Sequence, residues 1–139
     1  MIALTLSVFS ACVSQSVRVK DLNRPLKMLQ SSIFTALPNG NPKIDSTKRK
    51  FISKPFLAKA GLFIPVSNSR IHYVSHIEIL GDRRPYTIYI ESFKMVRNAK
   101  RFVVTGQDKS ISEQVAKAIQ YELSKRLKNT DIIDDFRAF

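Results

Sequence analysis

"RIHYVSHIEILGDRRPYTIYIESFKMVRNAKRFVVTG" (residues 70–106) is the stretch of the sequence that decides the fold. Three runs rich in β-branched and aromatic residues cover 70–80, 86–96 and 101–106, which is the composition of strands. In the second run Ile88 and Ile90 alternate with Tyr89, and this period of two predicts one buried face. The connections GDRRP and RNAK are short, so consecutive strands must be antiparallel. The stretch therefore predicts a three-stranded antiparallel meander.

A helix is predicted before the meander, over residues 23–37. Asn23 is a suitable N-cap, and Pro25 is tolerated in a first helical turn. An apolar stripe with helical spacing follows, formed by Leu26, Leu29, Ile33 and Leu37. The helix is expected to end at Pro38.

The chain between this helix and the meander is less regular. Residues 40–50 are polar and basic, which predicts a connection without regular structure. Residues 51–67 are apolar but contain Pro55, Gly61 and Pro65. Proline removes a backbone donor, so this segment predicts short strands or an edge strand.

A second helix is predicted over "DKSISEQVAKAIQYELSKRLKNTD" (108–131). Ser110 and Glu113 have the spacing of a capping box, in which each side chain accepts from the other residue's backbone N–H. One apolar stripe runs along the helix: Ile111, Val115, Ala118, Ile119, Leu123 and Leu127. We therefore predict the α+β class, an antiparallel meander sheet with an N-terminal and a C-terminal helix packed on one face.

The first seventeen residues carry no charge, and the single cysteine, Cys12, follows an apolar run too short to span a bilayer. The four residues Phe9-Ser10-Ala11-Cys12 resemble the lipobox of bacterial lipoproteins. That resemblance implies cleavage before Cys12 and a diacylglycerol on its sulfur. Two alternatives remain open: another secretory signal, or an N-terminal element that buries a free cysteine.

The resemblance also implies a location and a division of the chain. Residues 1–11 would be the signal segment, 12–20 a lipid-anchored tether and 21–139 a single domain. Val13 and Ser14 follow the cysteine where aspartate would favour the inner membrane. By resemblance to enterobacterial lipoproteins, this predicts an outer-membrane protein that faces the periplasm.

Residues typical of catalysis are not grouped in the sequence. His72 and His76 lie four residues apart in a predicted strand, about 13 Å from each other, which is too far for one metal ion. The four glycines are scattered and form no phosphate-binding loop. One cysteine allows neither an internal disulfide nor a multi-cysteine metal site. We expect a protein that is not an enzyme and has neither a cofactor nor a metal.

The charge is strongly positive, with 23 Lys and Arg against 11 Asp and Glu, and the excess lies within residues 18–101. Such a field attracts polyanions. The candidate anion-binding residues are Lys48, Arg49, Lys50, Arg83, Arg84, Arg97, Lys100 and Arg101. Arg83 and Arg84 belong to one meander turn and the last three to the next, so these two groups are expected at opposite ends of the sheet. A simple solvated surface is the alternative interpretation.

Two functions are compatible with these features. The first is a cell-envelope lipoprotein that acts as an assembly, adaptor or secretion-system component. Its partners would be the membrane, other envelope proteins, and anionic lipid, lipopolysaccharide or peptidoglycan. The second is a cytosolic nucleic-acid-binding protein, which a pI near 10.1 would suit. The sequence contains no aromatic RNA-binding motif, and the uncharged opening favours the envelope.

Overall fold

The computed structural model describes residues 15–66 and 68–134, so Cys12 lies outside the described residues. The elements follow one another as β1 (Val17–Leu22), α1 (Leu26–Ala36), β2 (Lys43–Ile44), β3 (Lys50–Ile52), β4 (Phe56–Lys59), β5 (Leu62–Pro65), β6 (Ile71–Leu80), β7 (Tyr86–Asn98), β8 (Arg101–Gln107) and α2 (Lys109–Asp134). The predicted α+β class is confirmed, with an open antiparallel sheet and two helices.

The meander forms the centre of the sheet. β6 pairs with β7 along its whole length, from Ile71 opposite Val96 to Leu80 opposite Thr87. β8 then pairs with the last part of β7, with Asn98 opposite Arg101. The predicted order and direction of these three strands are therefore confirmed.

Each central strand divides its outer edge between two partners. β1 pairs with the first part of β7, up to Ile90, and β8 takes over at Phe93. β3 pairs with the last part of β6, whereas β4 pairs with β6 at Tyr73. β2 and β5 extend β3 and β4 outward.

Strand β1 differs from the sequence prediction, which placed residues 12–20 in a tether and began the domain at residue 21. Val17–Leu22 is instead a sheet strand, and Val19 is buried against the core. The alternation of Val17 and Val19 with Arg18 and Lys20 is the reason, because it gives this polar segment one apolar face. The strand therefore includes residues 17–20, which the prediction assigned to the tether.

The basic connection over residues 40–50 also contains sheet residues. Lys43 and Ile44 form β2, which pairs with β3 across a turn. In the apolar segment that follows, the predicted short strands are β3, β4 and β5. Lys59 and Leu62 close the β4–β5 hairpin around Ala60 and Gly61, both at positive φ.

Both helices begin differently from the sequence prediction. The N-cap of α1 is Pro25, with ψ at 142°, not Asn23. A residue before proline is disfavoured in the helical region, which keeps Arg24 and Asn23 outside the helix. In α2 Asp108 replaces the expected Ser110–Glu113 capping box, because its Oδ1 accepts the N–H of Ile111 at 3.2 Å.

The helices pack on one face of the sheet, where α2 contacts β7, β1 and β6, and α1 packs against α2. Fully buried isoleucines of the two central strands meet both helical stripes there: Ile77, Ile79, Ile88 and Ile90 with Leu29, Ile33, Ile111, Val115, Ile119 and Leu123. We call the opposite side the helix-free face. No helix in the described part of the chain has the length and apolarity to cross a bilayer.

Candidate anion-binding surface

The eight basic candidates lie at two opposite ends of the sheet. β7 runs from Tyr86 to Asn98, which separates the β6–β7 turn from the β7–β8 turn by about 40 Å. The first turn carries Arg83 and Arg84, and we call that side of the sheet the Arg84 end. The second turn, with the first residue of β6, defines the Arg101 end. The expected separation of the two meander turns is confirmed.

The Arg84 end also receives the β2–β3 turn, which sequence reasoning did not place. The Nη1 of Arg49 donates to the carbonyl oxygen of Gly81 at 2.5 Å, and its guanidinium lies 5.8 Å from the centre of the Tyr86 ring. The backbone oxygen of Arg49 accepts from the N–H of Ile79. Arg49 thus ties two turns together, and much of its bonding capacity is used within the fold.

Carboxylates accompany the cations at the Arg84 end. Lys50 lies 3.9 Å from Glu78, an exposed pair of small energetic value. Asp45 accepts hydrogen bonds from the backbone N–H groups of Arg49 and Lys50 and from the hydroxyl of Thr47. These bonds hold the pKa of Asp45 below its usual value. The local field is therefore mixed in sign.

The Arg101 end is different in charge. The strands and turns that build it, residues 54–77 and 92–107, contain seven basic residues and neither Asp nor Glu. Three of the seven are the predicted candidates Arg97, Lys100 and Arg101, and all three are exposed. The other four were not singled out from the sequence: Lys54, Lys59, Arg70 and Lys94. The signal that could have identified these four residues is the absence of Asp and Glu from both segments, which the sequence alone shows.

Exposed aliphatic side chains accompany these cations. Leu62 is 68% exposed, Val103 48% and Val104 53%. Leu62 closes the β4–β5 hairpin, and β4 runs from its pairing at Tyr73 toward the first residue of β6. That hairpin therefore reaches the same end of the sheet as the β7–β8 turn. Sequence reasoning missed this juxtaposition, because it depends on where β4 joins the sheet.

The helix-free face carries a polar cluster near the middle of β7. The hydroxyl of Tyr89 donates to Oε1 of Glu91 at 2.5 Å, and the side chain of Gln107 approaches the same oxygen at 3.4 Å. The guanidinium of Arg18 lies 5.4 Å from the centre of the Tyr89 ring. These contacts orient the cluster, in which Glu91 accepts hydrogen bonds from both Tyr89 and Gln107.

A cavity of about 600 Å³ lies between α1 and the β2–β3 turn. Its apolar walls come from Phe34, Ile44 and Phe51. The guanidinium of Arg126 borders it and donates to the backbone oxygen of Ser31 and to the hydroxyl of Thr35. These bonds attach α2 to α1, so this arginine serves the packing of the two helices.

The histidines lie in β6, as predicted, and each packs against an aromatic ring. His72 is buried, with its ring centre 3.8 Å from that of Phe102, and His76 lies 5.0 Å from Phe93. Burial lowers the pKa of His72. Among the residues that the structure describes, no three His, Cys, Asp or Glu side chains are grouped in a way that would hold a metal ion.

In comparisons with known proteins, no family model, no curated protein and no solved structure matches the chain. The function must therefore be argued from the chemistry of this chain's own residues.

Proposed function

We propose that this protein is an envelope lipoprotein, held at a membrane by a lipid on Cys12, that acts without an active site of its own as an assembly, adaptor or secretion-system component. The observation that carries the proposal is the lipobox-like sequence Phe9-Ser10-Ala11-Cys12. It stands five residues before β1, the first strand of the sheet. Two or more acyl chains at this cysteine give a stable anchor.

The position of β1 supports the proposal in a second way. Five residues of chain reach at most about 17 Å, so a lipid on Cys12 holds Val17 within that distance of the bilayer surface. A domain fixed so close to lipid headgroups meets anionic surfaces constantly, and its excess of twelve positive charges suits that environment. Other envelope proteins are its expected partners, and the outer membrane facing the periplasm is its expected location.

Fractionation of bacterial cells that express the full chain tests the proposal. We expect the wild-type protein in the outer-membrane fraction and Cys12→Ser in the soluble fraction or as an unprocessed precursor. Val13→Ala is the matched control, since it changes the neighbouring residue and leaves the cysteine in place. If all three chains are equally soluble, the anchor does not exist, and a cytosolic nucleic-acid-binding role becomes the better explanation of the charge.

A further inference from the structure

The Arg101 end of the sheet combines exposed cations and exposed aliphatic side chains with a local sequence without acids, whereas the exposed cations of the Arg84 end lie among Asp45, Glu78 and Asp82. Arg97, Lys100 and Arg101 surround the β7–β8 turn, and Val103 and Val104 follow on β8. Lys59 and Leu62 lie at the β4–β5 hairpin. From β5 to β8 the sheet spans four strand spacings, about 19 Å, so these residues form one surface.

We propose that the Arg101 end docks on an anionic lipid bilayer, with Leu62 and Val104 entering the headgroup region. The inference deepens the proposed function and rests on it for the location of the protein. The docking itself needs no lipid on Cys12. The membrane contact is thereby assigned to one end of the sheet, whereas the net charge of the chain favours no particular end.

The pairing of cations with aliphatic side chains favours a bilayer over other polyanions. Lys and Arg near an anionic leaflet are attracted to it, and small apolar side chains beside them gain by leaving water at the acyl boundary. Single-stranded nucleic acid is typically bound by exposed aromatic rings that stack on its bases. The aromatic ring nearest the turn, Phe102, is stacked on His72 and is only partly exposed.

The path of the chain is compatible with both membrane contacts at once. β1 pairs with β7 so that its first residue, Val17, lies opposite Ile90 and its N-terminal end points toward the Arg101 end. Ile90 is eight residues from Asn98, or about 26 Å along the strand. Since Cys12 lies within about 17 Å of Val17, both contacts require strands inclined at about 40° or less to the bilayer plane.

The inclination has a preferred direction. Val104 lies opposite Met95 and Leu62 lies on the same side of its hairpin as Leu57, and both positions belong to the helix-free face. Arg97 points to that face as well, because it alternates with Val96 along β7. We therefore expect the sheet to be tilted so that its helix-free face is turned toward the bilayer.

Vesicle binding by the full chain carrying Cys12→Ser tests the inference without a lipid anchor. Flotation with vesicles of phosphatidylglycerol and phosphatidylcholine in equal parts is compared with phosphatidylcholine alone. We expect binding to the anionic vesicles that weakens as salt is raised, and little binding to the neutral ones. Each cation at the surface contributes roughly fivefold in partitioning at low salt.

Two triple variants of equal charge separate the ends of the sheet. Arg97→Gln with Lys100→Gln and Arg101→Gln should reduce partitioning on the order of 100-fold. The control is Lys48→Gln with Arg83→Gln and Arg84→Gln, which leaves Arg49 in its structural contacts, and we expect a loss under about tenfold. Equal losses would mean that charge acts without orientation, and this would overturn the inference.

Tryptophan fluorescence then reports insertion, because the chain contains no tryptophan. In the Cys12→Ser chain, the tryptophan emission of the Val104→Trp variant should shift to the blue with anionic vesicles and be quenched by brominated lipid. Tyr121→Trp is the control, since Tyr121 is 62% exposed on α2, away from this end. A Val104→Trp signal that does not change, or changes only with added RNA, contradicts the inference.

The outcomes also separate this inference from the proposed anchor. If Cys12 is lipidated in cells but the Cys12→Ser chain ignores anionic vesicles, the anchor stands and the docking end is wrong. If Cys12 is unmodified but the Arg101-end variant loses vesicle binding, the docking end stands and the anchor is wrong.

Discussion

Ser75 and Ser92 face each other in the middle of the sheet, with their hydroxyl oxygens 2.7 Å apart and both side chains fully buried. They stand where the outer partners of β6 and β7 change. The backbone N–H of Ser75 is bonded by the hydroxyl of Ser53, and that of Ser92 by the hydroxyl of Ser112. Serine side chains thus satisfy backbone donors in the gaps between the outer strands.

The first prediction concerns Ser112, which is fully buried at the start of α2. Ser112→Ala removes the acceptor for the N–H of Ser92 and leaves a buried donor without a partner. We expect a loss of about 1–3 kcal/mol in the free energy of unfolding, measured by urea denaturation.

Ser110→Ala is the matched control for this change. Ser110 is exposed, and the cap of α2 is Asp108, so the control should change stability by less than about 0.5 kcal/mol. A larger loss from Ser110→Ala than from Ser112→Ala would mean that the capping box predicted from the sequence forms after all.

The second prediction concerns the pH dependence of stability. Burial lowers the pKa of His72 below its ordinary value of 6.5, and its Nδ1 has no hydrogen-bond partner among the described residues. Below pH 6.5 the unfolded chain therefore binds more protons at this residue than the folded chain does. The contribution of His72 to stability is constant above that pH, decreases as the pH falls below it, and is lost once the pH has fallen through the lowered pKa of the folded chain.

Urea denaturation at a series of pH values between 5 and 8 measures this effect. His72→Gln should flatten the decrease in stability on the acid side. His76→Gln serves as the control, because His76 is exposed and its removal leaves the His72 effect in place. An unchanged slope in His72→Gln would show that other groups cause the acid sensitivity.

The third prediction concerns the packing of α2 on the sheet. Ile119 is fully buried against the central strands, so Ile119→Ala should cost about 2–5 kcal/mol in the free energy of unfolding. Gln120→Ala, on the exposed side of the same helical turn, should change stability by less than about 0.5 kcal/mol. Similar effects of the two substitutions would place the apolar stripe in solvent.

Local patterns predicted the centre of the fold well. The period of two in residues 86–96 and the helical spacing of Val115 and Ile119 each describe an element that buries one side. β1 was missed because Arg18 and Lys20 make a short strand look like a polar linker. The division of each outer edge between two strands was not predictable, since it depends on pairings between residues distant in sequence.

The candidate surface was predicted only in part. The sequence identified the cations and placed two of their groups at opposite ends of the sheet. It did not show that Arg49 is engaged by Gly81 and Tyr86. Nor did it show that Leu62 joins Val104 at the Arg101 end, because only the pairing of β4 with β6 brings those residues to the same end.

The intact mass of the protein extracted from bacterial membranes tests the proposed anchor most directly. The account predicts a chain that begins at Cys12, lacks residues 1–11 and carries the added mass of a diacylglyceryl group, with a further acyl chain where the new amino terminus is modified. An unmodified chain that retains Met1, with a Cys12 thiol open to alkylation, would contradict it.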